Sequence, residues 1–152
     1  MTKIIEGIDG LQELVGTHLG WSDPVEITQE QVNTFAEATG DHQWIHVDVE
    51  RAKAESPFGG PIAHGYLTLS LGPRLAPQVS QVTGVAMGVN YGCDKVRFPS
   101  PVPVGAKLRL GIALDRVDEI EGGAQVYETF TFTVEGSEKP SCVASVIFRY
   151  YT

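Results

Sequence analysis

The stretch of this chain richest in reactive side chains is Phe35-Ala-Glu-Ala-Thr-Gly-Asp-His-Gln-Trp-Ile-His46. It sets a carboxylate, Asp41, directly after Gly40 and an imidazole, His46, a few residues on. Held at the two ends of one short loop, both groups can touch a single water, which is what general acid–base catalysis requires. Gln43, between them, carries an amide that can support the loop from behind. A second segment, Pro57-Phe-Gly-Gly-Pro-Ile-Ala-His-Gly65, leads from a loop into a helix. Backbone N–H groups at a helix N-terminus are unpaired and see the positive end of its dipole. Gly65 has no side chain, so an oxygen gathering negative charge could approach its N–H closely. His64 beside it joins the substrate-binding candidates, with capping or packing as its simplest role. One segment thus activates water and the other holds an oxyanion.

Other reactive types weigh less. His42 and His46 have the spacing of helical metal ligands, but that needs a helix across Gly40-Asp41 and a third ligand; no metal is expected. Cys93 and Cys142 show no CxxC spacing and read as reduced residues in or beside strands. His18 has no company and reads as structural. Asn90 is a polar residue in an apolar strand, so it needs a partner. It is either a structural bridge or a support for the catalytic loop.

The elements that must hold these groups follow from periodicity. The first third reads as helical. Thr28 and Gln31 form a capping box, Val32, Phe35 and Ala36 give a buried stripe, and Gly40 ends the helix. Asp48 caps a short helix to Glu55, and Ser56 to Pro61 is loop. From Gly65 to about Val79 the chain is apolar nearly all round, which predicts a helix enclosed by the domain, kinked or ended at Pro73. Tyr66 and Leu67 to Leu71 are most simply core, although part of that surface could line a tunnel. After Thr83 the period becomes two, through Val85 to Tyr91 and Leu108 to Leu114, with a turn at Glu121-Gly122-Gly123. Val126, Phe130, Phe132 and Val134 then share one face. A last strand to Tyr151 is apolar on both faces and so central. Helices followed by long antiparallel strands predict an α+β domain, with a curved antiparallel sheet wrapped around one buried central helix.

Bulk properties narrow the function. The 152 residues, 42% hydrophobic and 20% charged, suit one domain spanning 1–152. A net charge of −8 with eleven scattered Lys and Arg speaks against nucleic acid as a partner. The most apolar stretch, Ile62 to Val79, holds His64, Pro73, Arg74 and Pro77, which argues against a membrane span. Residues 1–10 carry acids without an apolar core, unlike a signal peptide, and with two reduced cysteines the expected address is cytoplasmic.

Gly40-Asp-x-x-x-Ile-His46, the Phe58-Gly-Gly-Pro-Ile-Ala-His-Gly65 stretch and Asn90-Tyr-Gly-Cys-Asp-Lys-Val-Arg-Phe-Pro-Ser-Pro-Val102 occur here in one order. Together they resemble the MaoC-like (R)-specific enoyl-CoA hydratases, the hydratase 2 family, over most of Phe35 to Gly105. The resemblance implies a hot-dog fold, a homodimer with sheets paired edge to edge, and no cofactor beyond the CoA of the substrate. It implies Asp41 and His46 as the catalytic pair and the Gly65 N–H as oxyanion donor. The implied reaction is reversible hydration of a trans-2-enoyl-CoA, or another enoyl-acyl-carrier thioester, to the (R)-3-hydroxyacyl product. Gln43-Trp44 stands where the family usually has Asn-Pro, a change expected to bear on loop rigidity and acyl-pocket shape. Two other functions fit a hot-dog domain: an acyl-CoA thioesterase, and a non-catalytic thioester-binding subunit of a heteromeric dehydratase.

Overall fold

The computed structural model describes residues 1–152. The chain begins with β1 (Lys3–Glu6), α1 (Gly7–Glu13), β2 (Thr17–Trp21) and β3 (Val25–Glu26). These three strands correct the helical reading of the first third. Each is five residues or fewer and takes its shape from a distant partner, so it carries almost no local alternation. β1 runs parallel to β4 (Ser80–Thr83), while β2 and β3 pair antiparallel with β6 (Lys107–Ile120).

Helices α2 (Gln29–Thr39), α3 (Trp44–Val47) and α4 (Val49–Glu55) follow. Thr28 Oγ1 accepts the Gln31 N–H at 3.1 Å. The Gln31 side chain instead lines a surface cleft beside Arg74, so only the hydroxyl half of the expected capping box forms. Gly40 ends α2 in the left-handed region at φ 81°, which a side chain would resist. Asp48 accepts the Arg51 N–H and caps α4 as predicted.

The predicted long helix is two: α5 (Gly65–Ser70) and α6 (Gly72–Val79). The break falls at Leu71, whose N–H reaches back to the Thr68 carbonyl at 3.2 Å in a tighter turn. Pro73 sits in the first turn of α6, where its missing N–H breaks no helical bond. Gly72 is demanded by packing, because a Cβ there would lie 2.9 Å from the Phe130 ring. Leu67, Leu71, Leu75 and Val79 press onto the sheet. The enclosure is one-sided in the protomer, because the sheet covers one face only. Tyr66 is 72% exposed, and Pro73, Arg74 and Pro77 also face out.

The main sheet has six strands in the order β2-β6-β7-β8-β5, with β3 also on β6 and every pair antiparallel. Here β5 is Met87–Arg97, β7 is Gly123–Val134 and β8 is Cys142–Tyr151. β8 is interior, as its two apolar faces predict. β5 starts two residues later than Val85, runs past Tyr91 and forms an edge. Leu108, Leu110, Ile112 and Leu114 of β6 meet Val126, Phe130 and Phe132 of β7 across the ladder, each 2% exposed or less. Each such side chain contributes roughly 1.5–3 kcal/mol by burial. Glu128 lies in the same inward row, between Val126 and Phe130, and is 6% exposed.

Candidate active site

Gly40 turns the chain out of α2, and the loop that follows is shaped by Asp41 itself. Its Oδ1 accepts the Gln43 N–H at 3.3 Å, a local turn that aims the exposed carboxylate. The chain then makes the single turn of α3, so His46 stands in a short helix and not in the loop. Gln29, at the start of α2, donates from Nε2 to the His46 carbonyl at 2.8 Å and ties this turn down. The segment after the proline-glycine loop is clamped on both sides. Ile62 N–H donates to the Ile45 carbonyl at 3.0 Å, and Ala63 N–H donates to the Val102 carbonyl at 2.8 Å.

That clamp settles the chemistry of His46, whose side chain is buried. Its Nδ1 lies 2.7 Å from the Ile62 carbonyl oxygen. A carbonyl can only accept, so Nδ1 carries the proton and Nε2 of the neutral ring keeps a free lone pair. Burial pulls the His46 pKa below its ordinary 6.5, helped by His64 and opposed by the Ile62 carbonyl and Asp41. The ring is therefore a neutral base at pH 7.

His64 is 2% exposed and stacks on His46, with ring centres 3.9 Å apart and planes 26° from parallel. By the same reasoning its Nε2, 3.0 Å from the Asp41 carbonyl, is the protonated nitrogen. The Phe35 ring packs at 4.8 Å from it. His64 makes no side-chain cap of α5; it joins the Asp41 loop to the His46 ring. Its Nδ1 is buried without a partner. One carboxylate oxygen of Asp41 and one ring nitrogen each of His46 and His64 lie within 4.8 Å of one another. One water could bridge them; a divalent cation also accepts such ligands. The His42–His46 metal pair does not form, since His42 is exposed 3.6 Å from Glu37.

Gly65 opens α5, and its N–H has no partner in the preceding turn. A Cβ at Gly65 would lie 3.0 Å from the Phe98 ring, so a larger residue would press that ring aside as well as narrow the access to its N–H. His46, Gly65, Thr68 and Phe98 line one cavity of about 280 Å³. Sequence reasoning missed Phe98 and Gln29. Phe98 stands in the quoted Arg-Phe-Pro run, while nothing local marks Gln29.

Two candidates stand apart from this cluster. The Gln43 side chain is exposed, and the residue acts here through its backbone: its N–H donates to Asp41 Oδ1 and its carbonyl accepts the His46 N–H at 3.0 Å. Asn90 is exposed on β5, makes no side-chain hydrogen bond to the catalytic loop, and lines a different cavity with Tyr66 and Phe148. On an edge strand its side chain is open to contacts from outside the chain, and none within the chain holds it. Trp44 faces away from the 280 Å³ cavity and carries the Arg51 guanidinium 4.2 Å above its ring.

The MaoC like domain matches residues 11–135. The chain is 52% identical over 149 residues to 3-hydroxyacyl-thioester dehydratase Z of Mycobacterium tuberculosis H37Rv, covering 97% of this chain and 98% of that one. It is 42% identical over 139 residues to nodulation protein N of Rhizobium leguminosarum, covering 88% and 84%. The solved (R)-hydratase from A. caviae superposes with a TM-score of 0.72 at 22% identity, covering 88% of this chain and 94% of that one, and so shares the hot-dog fold. No helix here is long and apolar enough to cross a membrane.

Proposed function

The chain belongs to the MaoC-like domain family, and from that premise we propose that it is a lyase that adds water reversibly to trans-2-enoyl thioesters to give (R)-3-hydroxyacyl thioesters. One observation carries the reading: the His46 Nδ1–Ile62 carbonyl bond, which leaves Nε2 a free base on a ring that has one nitrogen within 4.8 Å of an Asp41 carboxylate oxygen. Water held by Asp41 and Nε2 gives up a proton as its oxygen bonds to C3. The thioester oxygen takes the electron pair as an enolate and receives a hydrogen bond from the Gly65 N–H. The enolate then collapses as the Asp41/His46 pair returns a proton to C2. Overall, hydroxyl goes to C3 and hydrogen to C2, with no external oxidant or reductant. The thioester is carried by CoA or an acyl-carrier protein.

The active form is a homodimer paired through β5, the edge strand that leaves Met87, Val89 and Tyr91 39–56% exposed. The test is incubation with crotonyl-CoA and longer enoyl-CoAs, followed by chiral analysis of the product. Loss of enone absorbance without free thiol, yielding the (R) alcohol, is the expected result. Thiol release with the double bond intact would make it a thioesterase. Neither turnover nor dimerisation in the purified chain would make it one half of a heteromeric dehydratase.

A further inference from the structure

The inward row of β7 is apolar except at Glu128. This side chain is 6% exposed, and its carboxyl makes no hydrogen bond within the chain. It faces a cavity of about 500 Å³ whose other polar walls include Ser80, Gln81 and Tyr150. Buried polar groups are nearly always paired, and an orphan one in a cavity points to something that enters.

The approach to this cavity is laid out along the helices. A neighbouring cavity of about 360 Å³ is lined by Tyr66, Leu69, Ser70 and Pro73, and it shares Pro73, Asn90 and Phe148 with the Glu128 cavity. The Glu128 cavity continues along α6 through Ala76 and Pro77. Residues 66, 69 and 70 of α5 and 73, 76 and 77 of α6 line these two cavities. The groove they form begins one residue after Gly65 in the chain and spans α5 and α6. Its walls are mostly apolar, and its far end carries a carboxyl and a phenol.

We propose that this far end is a hydrogen-bonding subsite, and that the chain prefers acyl thioesters whose tail carries a hydroxyl group over plain alkyl ones. Glu128 and Tyr150 are the recognising groups: a hydroxyl can donate to one and accept from the other, satisfying a carboxyl that is otherwise stranded. An alkyl end seated there would displace water from both without pairing either, and such a loss discriminates strongly between ligands. Burial raises the Glu128 pKa to about 7, so a protonated donor form is available at neutral pH. The inference rests on the thioester reading above, but concerns which tail is held.

The test uses unreactive ligands and therefore reads binding. Decanoyl-CoA and 10-hydroxydecanoyl-CoA, with the octanoyl and dodecanoyl pairs beside them, are titrated calorimetrically into the wild-type chain. The expected result is binding roughly tenfold tighter for the hydroxyl member of at least one pair. Glu128→Leu should reverse that order, and Glu128→Gln, which keeps a donor and an acceptor, should retain it. Equal affinities within every pair, or a preference unchanged in a folded Glu128→Leu, would overturn the subsite. If Glu128→Leu does not fold, the wild-type ratio decides. Crotonyl-CoA hydration, measured alongside, involves a tail too short to reach Glu128. Hydration with no hydroxyl preference overturns the subsite alone, and preference without hydration overturns the reaction alone. Failure of both overturns both.

Discussion

His46 and Glu128 are both buried, both face cavities, and burial pushes both toward their neutral forms. Their company differs. His46 is held by a carbonyl at Nδ1, by Gln29 at its backbone and by the His64 ring on its face. Glu128 has no partner, and the nearest charge acting on it is the like charge of Asp115. Burial therefore decides how much charge each group carries, and only the hydrogen-bond partner decides where its proton sits. The first group becomes a directional base; the second is a stability cost unless something fills its cavity.

The largest effect that would break this contrast is catalytic. His46→Gln or Asp41→Asn should lower kcat by at least ~10²-fold, the lower range for a general acid–base group, with an unchanged circular dichroism spectrum. Normal turnover in both would remove the pair from the chemistry. In the wild type, kcat/KM should fall on the acid side with a midpoint below 6.5, because the His46 pKa is lowered. A midpoint at or above 6.5 would mean that burial is not what governs this ring.

Next comes a stability difference. The Glu128 pKa stands raised from the ordinary 4.5 to about 7. Below pH 4.5 both folded and unfolded chains are protonated there and the group contributes nothing. As pH rises from 4.5 to 7 the unfolded chain loses its proton first, so stability falls, and the full penalty is present above 7. At 1.36 kcal/mol per pH unit the penalty is about 3 kcal/mol. Urea unfolding at pH 5 and pH 8 should show wild type losing about 2.5 kcal/mol of that penalty relative to Glu128→Gln, which has no proton to lose, the remainder being already present at pH 5. Parallel pH slopes in the two proteins would show that Glu128 is solvated after all. The smallest effect sharpens the contrast from the other side: Gln29→Ala should lower the unfolding free energy by about 1 kcal/mol and raise mobility at α3, read by amide exchange at Val47 and Asp48.

Much of this was legible in the chain. Thr28, Gly40 and Asp48 mark helix ends because capping is a local reaction between a side chain and nearby backbone. Asp41, His46 and Gly65 could be named because loop and helix ends lie where those residue types put them. What was hidden depends on partners far along the chain. β2 is a strand because β6 is there to pair with it, and His64 bridges to Asp41 across 23 residues. The surroundings of Asn90 are hidden for the same reason: whether a polar strand residue needs a partner depends on whether its strand is an edge, and order in a sheet is not written locally. Glu128 did leave a trace, since it interrupts the inward series Ala124, Val126, Phe130, Phe132, and a single acid in such a row is a signal worth counting.

The edge strand β5 has a consequence of another kind. Its eleven residues are hydrogen-bonded on one side only, and Met87 and Tyr91 are more than half exposed. Whatever pairs with that edge binds the folded chain and not the unfolded one, so by mass action it stabilises the fold in proportion to the logarithm of its concentration. Robustness to heat then becomes a property of the solution as much as of the molecule. If the partner is a second copy, tenfold dilution should lower the melting temperature of an unaltered sequence.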